Sequence, residues 1–138
     1  MPSRTVRGIG KVTRTKAGKV TAFTISRRRW LRGKGHMVSS LFDGRTKEMC
    51  CLGFYLRECG YSIASIRGLM SPICVVDCQS DRHLIHERSA GWLVGGFDNS
   101  DACKALMDWN DRPMPDEDRE VHIAELFKEQ GITVTFVP

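Results

Sequence analysis

The chain has 138 residues, 41% apolar and 27% charged, with a formal net charge of +5. That length and balance predict a single globular domain over residues 1–138 and exclude a disordered chain. No run of about 18 apolar residues occurs, which excludes a membrane-spanning helix, and the opening Met1-Pro2-Ser3-Arg4-Thr5-Val6-Arg7-Gly8 lacks the apolar stretch of a signal peptide.

The expected location is therefore the cytoplasm, and six cysteines there are expected to be reduced thiols. The net charge hides a split. Residues 1–47 carry thirteen basic side chains and one acid, Asp43, for +12. The remainder carries eight basic against fifteen acidic, for −7. Such asymmetry between segments points to a polyanionic partner.

The first predicted element is a basic β-hairpin over about residues 4–32. Val6–Arg14 and Val20–Ser26 are short and rich in Val, Ile, Thr and Phe, and Thr15-Lys16-Ala17-Gly18 supplies a turn. On the second strand Phe23 and Ile25 share the inward face. Next comes a helix over Lys47–Cys59, capped by Thr46 and closed by Gly60. Its run of Met49, Cys50, Cys51, Leu52, Phe54, Tyr55, Leu56 and Cys59 marks it as a buried central helix. Ser62–Arg67 predicts a short second helix ending at Gly68.

Ile73–Val76 is β-branched and continuous, which predicts a strand, and Trp92–Val94 predicts a shorter one. Ser100 caps a helix running to about Trp109, with Ala102, Cys103, Leu106 and Met107 inward. Pro113 and Pro115 break it. The last helix begins near Asp116, where Asp116, Glu117 and Asp118 suit the positive end of the helix dipole. Ala124 and Phe127, with Val121 or Ile123, face inward, and Gly131 ends the helix. Thr133–Val137 alternates as a closing strand. The predicted class is α+β: a small, mainly antiparallel sheet with about three helices packed on it.

Four segments together resemble a group of small uncharacterised accessory proteins of tailed bacteriophages and prophages. They are Ile25–Gly33 with its Arg-Trp-x-Arg-Gly, Met49-Cys50-Cys51-Leu52-Gly53, Asn99-Ser100-Asp101 opening a helix that ends in Asn110-Asp111, and the Arg119–Val137 helix and strand. The resemblance spans most of the chain from about residue 24. It implies a phage product acting in the bacterial host cytoplasm, on host metabolism or host defence, and it assigns no catalytic residue.

Arg27-Arg28-Arg29-Trp30-Leu31-Arg32-Gly33-Lys34 interleaves guanidiniums with one aromatic. Arginine forks suit phosphate oxygens, and a flat ring suits a base. The expected ligand-binding residues are Arg27, Arg28, Arg29, Trp30, Arg32 and Lys34, and the expected partner is nucleic acid, a nucleotide or a host protein. A charged, defended strand edge accounts for the same run without any ligand.

Three other constellations carry chemistry on paper. Cys50 or Cys51 at a helix start, with His83 or His86 downstream, outlines a small cysteine hydrolase of papain or NlpC type. The short piece is similar to the nucleophile helix of NlpC/P60 peptidases, but Met49 stands where their Asp precedes the cysteine. Cys74, Cys78, His83 and His86 are zinc-type ligands within thirteen positions. A strand at Ile73–Val76 would hold Cys74 and Cys78 ~13 Å apart, too far for one zinc unless a turn falls at Asp77. Asp108, Asp111, Asp116, Glu117, Asp118 and Glu120 crowd one corner, where helix capping accounts for most of them. That corner also suits a basic partner, including the N-terminal arm of a second copy in a homo-oligomer. No GxGxxG or Walker pattern occurs.

Overall fold

The computed structural model describes residues 19–33, 35, 38–78 and 90–138, without the side chains of residues 76–78. The first predicted strand, Val6–Arg14, and its turn lie outside them. Strand β1, Ala22–Ser26, carries Phe23 and Ile25 into the core, as their alternation predicts. Its partner is β4, Thr133–Val137, and the pairing is parallel, from Ala22 opposite Thr133 to Ser26 opposite Val137. The main ladder is thus not antiparallel. Parallel strands need a long crossover, and here the crossover is the rest of the domain. The antiparallel pairing is confined to a hairpin of β2, Val94–Gly95, and β3, Asp98–Asn99.

Five α-helices lie between the long strands among the described residues, three of them eight residues or longer: α1 Cys51–Glu58, α4 Asp101–Asp111 and α5 Asp116–Glu129. The short ones are α2, Ile63–Ile66, and α3, Pro72–Cys78. A mixed α and β architecture holds, but Ile73–Val76 is helix rather than strand. Pro72 occupies the first helical position, where its missing N–H is harmless and its φ already fits. An apolar run of that length does not by itself separate buried strand from buried helix.

α1 begins four residues later than its pattern predicts. Asp43 Oδ1 accepts from the amides of Arg45 and Thr46, and Lys47 follows with φ 65°, so residues 43–47 make a tight turn. Thr46 caps nothing. Gly53 on α1 passes so close to the loop before it that a Cβ would sit 1.9 Å from the Leu41 carbonyl oxygen. Only glycine fits there.

The core gathers Phe23, Tyr55, Trp92 and Phe127 into an aromatic cluster with ring centroids 4.9–5.7 Å apart. Cys50, Cys51, Cys59 and Cys103 are buried thiols. On α5 the inward residues are Ile123 and Phe127, while Val121 is exposed. No described helix is long and apolar enough to cross a membrane.

Candidate anion-binding site

The arginine run begins where β1 ends. Arg27–Arg29 form one turn of 3-10 helix, and the chain is then pinned by backbone hydrogen bonds from Met49 N to Arg29 O, 2.9 Å, and from Leu31 N to Met49 O, 2.7 Å. Trp30 turns inward and is buried. Its indole N–H donates to Asn110 Oδ1 at 2.8 Å, and its ring lies 5.2 Å from that of Phe136. Trp30 is therefore a core group and offers no face to a base. The tryptophan that breaks the arginine run anchors it.

Asn110 is the hub beneath the segment. Its Oδ1 also accepts from the Cys51 amide at 2.9 Å, which caps the start of α1 from a distant helix. Its Nδ2 donates to the Leu31 carbonyl and to Asp111 Oδ1, each at 3.0 Å. Asp111 in turn accepts from both the amide and the hydroxyl of Ser39. Asn99 does the same service for α3, accepting from the Ile73 amide at 2.9 Å.

The last turn of α4 leaves four carbonyls without helical partners, and all four are met. Asn110 O accepts from Gly33 N and Asp111 O from Gly35 N. The buried Arg119 guanidinium donates to the carbonyls of Trp109 at 3.0 Å and Asn110 at 3.1 Å, and to those of Arg112 and Met114. A cation there also suits the negative end of the helix. Gly33 has φ +68°, and a Cβ on it would press to 3.2 Å from Arg119 Nη2. The Arg-Gly step after Trp30 is required by this junction.

Of the six expected ligand residues, the structure places five, and they divide. Arg28 and Arg29 are exposed and make no side-chain hydrogen bond or ion pair among the described residues. Arg27 presents its fork to Glu120, with Nε–Oε2 at 2.7 Å and Nη2–Oε1 at 2.9 Å. Arg32 donates to Asp116 Oδ2 at 2.9 Å and lies over the Trp30 ring at 4.6 Å. The other oxygen of Asp116 takes Arg119 Nε at 3.3 Å. The Arg32 hydrogen bond holds the Asp116 carboxyl below the usual carboxylate range, and the Glu120 hydrogen bond raises Arg27 further. A groove of about 390 Å³ opens beside the Arg32–Asp116 pair, with Leu31, Gly33, Glu48 and Arg119 also in its lining. Lys34 lies outside the described residues.

The acidic corner thus has a use that its composition does not announce: two of its carboxylates meet the basic segment within the same chain. Asn110 and Arg119 are the buried anchors of this segment that sequence reasoning misses. The signal exists. Asn110 continues the inward stripe of Cys103 and Leu106, and Arg119 begins the stripe of Ile123 and Phe127. A polar residue on an apolar stripe has to find a buried partner.

The thiol arrangement does not favour nucleophilic chemistry. Cys50 and Cys51 do sit at the start of α1, but burial raises the Cys50 thiol to about 12 and pushes Cys51 well above its ordinary value. Desolvation outweighs the helix end. His83 and His86 lie outside the described residues, so neither is placed against a sulfur. For zinc, positions 74 and 78 fall one turn apart on helix α3, which removes the distance objection based on a strand. Among the described residues no group of three His, Cys, Asp or Glu side chains could hold a metal ion.

Comparison with protein-family models, with curated proteins and with solved structures gave no match.

Proposed function

We propose that this protein is a non-enzymatic binder of nucleic acid that grips the phosphate backbone through Arg28 and Arg29, with Arg27 and Arg32 beside them. The observation that carries the reading is that two adjacent arginines stand exposed, without a side-chain hydrogen bond or ion pair among the described residues, on a turn whose backbone is pinned by hydrogen bonds. Exposed arginine on a fixed backbone suits bidentate contact with phosphate oxygens. The basic excess over residues 1–47 supplies further cations along the same stretch of chain. Because Trp30 is buried, binding depends on backbone charge, with little preference among bases. The resemblance to phage accessory proteins sets this activity in a bacterial host.

The test is fluorescence anisotropy of the full chain with labelled DNA and RNA oligonucleotides across a salt series. Steeply salt-dependent binding is expected, and Arg28→Ala with Arg29→Ala should flatten the log–log salt slope by about 1.4 on single strands, at about 0.7 per lost phosphate contact. An unchanged affinity and slope in that variant would remove these residues from the site. Absence of binding at low salt by every oligonucleotide would overturn the nucleic-acid reading and leave an acidic protein surface or a small nucleotide as the target.

A further inference from the structure

We infer that the arginine site carries its own competitor: Asp116 and Glu120 on α5 occupy Arg32 and Arg27 in place of phosphates, and target binding proceeds by exchange of carboxylate for phosphate. The inference rests on the reading of Arg27–Arg32 as a phosphate-binding segment, and it adds a control on affinity to that reading.

The geometry is that of an anion already bound. Glu120 takes the side-on fork of Arg27 with two oxygens, the arrangement a phosphate would adopt. Asp116 bridges two guanidiniums, one oxygen toward Arg32 and one toward Arg119. Its side chain is 47% exposed and it borders the groove, so an entering phosphate reaches the same guanidinium edge. The two arginines differ in what holds them. Arg32 also donates to the Arg27 and Trp30 carbonyls, so its direction is kept when Asp116 leaves. Among the described residues Arg27 has only Glu120 as a hydrogen-bonding partner for its side chain, with the Phe136 ring 5.9 Å away, so it is freed more fully than Arg32. The Arg32–Asp116 pair, single and with a half-exposed carboxylate, is of the weak, exchangeable kind. The two-pronged Arg27–Glu120 pair is the tighter of the two, and Arg119, buried against carbonyls, stays in place as structure.

Four proteins test this in one titration with the same single-stranded oligonucleotide: the natural chain, Asp116→Asn with Glu120→Gln, Glu117→Gln with Asp118→Gln, and Arg28→Ala with Arg29→Ala. Glu117 and Asp118 are exposed on the same helical turn and engage no arginine among the described residues. Their removal therefore changes net charge equally without freeing a site. The exchange predicts that the Asp116/Glu120 variant binds on the order of tenfold more tightly at an unchanged salt slope, because the same phosphate contacts form in both proteins and only the competitor is removed. The Glu117/Asp118 variant should shift far less. Equal gains in the two acidic variants would show a general charge effect and overturn the exchange, while loss of binding in the Arg28/Arg29 variant would still uphold the phosphate site. Binding by the Asp116/Glu120 variant alone would support the exchange in its strongest form. No binding by any of the four would overturn both. Circular dichroism melting of each variant guards against misfolding, and a second pairing, Arg27→Gln with Glu120→Gln, should give back the gain that depends on Arg27.

Discussion

Asn110 shows how much a single amide can carry. It makes four hydrogen bonds in a buried position, to Trp30, to the start of α1, to the Leu31 carbonyl and to Asp111. Replacing it with alanine leaves an indole N–H, a helix-start N–H and a carbonyl without partners in a dry setting. Each orphaned group costs about 1–3 kcal/mol, so Asn110→Ala should lose roughly 3–5 kcal/mol of stability, measured by urea denaturation. A loss under about 1 kcal/mol would mean that water enters the site and replaces the amide. The same chemistry explains the neighbouring sequence. Trp30 is fixed by its bond to Asn110, Gly33 by its positive φ beside Arg119, and Gly53 by its approach to the Leu41 carbonyl. Residues that look like a ligand motif are here the fastening of the loop that presents the arginines.

The elements were legible where their ends carry local signals. Ser100 caps α4 as its position predicts, accepting from the Cys103 amide at 3.1 Å, and α5 opens with the acids its dipole favours. α1 is capped instead by Asn110, which lies far along the chain, so nothing nearby announces where it begins, and α3 takes its cap from the distant Asn99 although Pro72 marks its first position. The β1–β4 ladder is hidden for the same reason, since its partners are more than a hundred residues apart. Both strands could be recognised singly; their parallel pairing could not. The α4–α5 junction depends on Arg119 in the same non-local way. Arg119→Met keeps the apolar stem and removes the donors, leaving the carbonyls of Trp109 and Met114 without these bonds. A loss of about 3 kcal/mol is expected in denaturant unfolding, with Asn110 amide protection in hydrogen exchange falling alongside it. Arg119→Lys should recover only part, because one ammonium cannot span carbonyls that a planar fork reaches together.

At the scale of the whole molecule, two arginines of the basic segment, Arg27 and Arg32, meet carboxylates of the acidic helix α5, while thiols and aromatic rings fill the core beneath. That arrangement has a consequence at alkaline pH. Burial raises the Cys50 and Cys103 thiols to about 12 from an ordinary value of 9.0, raises Cys51 well above it, and raises the Tyr55 hydroxyl above its ordinary range. Below pH 9 the thiols are protonated in both the folded and the unfolded chain, and they add no pH dependence. Above it the unfolded chain releases protons that the folded chain retains, so the unfolded state binds fewer protons and stability falls as pH rises. Cys50 and Cys103 each contribute a slope of about 1.4 kcal/mol per pH unit between roughly pH 9 and 12, and Cys51 acts in the same direction. A domain of ordinary stability, about 5–15 kcal/mol, is then expected to unfold over a narrow alkaline range, with Cys103→Ala shallower by about 1.4 kcal/mol per unit. Denaturant unfolding from pH 7 to 11 reads the slope directly. Alkylation of the natural chain gives the independent check. Cys50 and Cys51 should resist labelling at pH 7 and become reactive only as the fold opens. Rapid labelling of either in the folded protein at neutral pH would place a thiolate at the head of α1, reverse the balance between helix end and burial argued for it, and return a cysteine nucleophile to consideration.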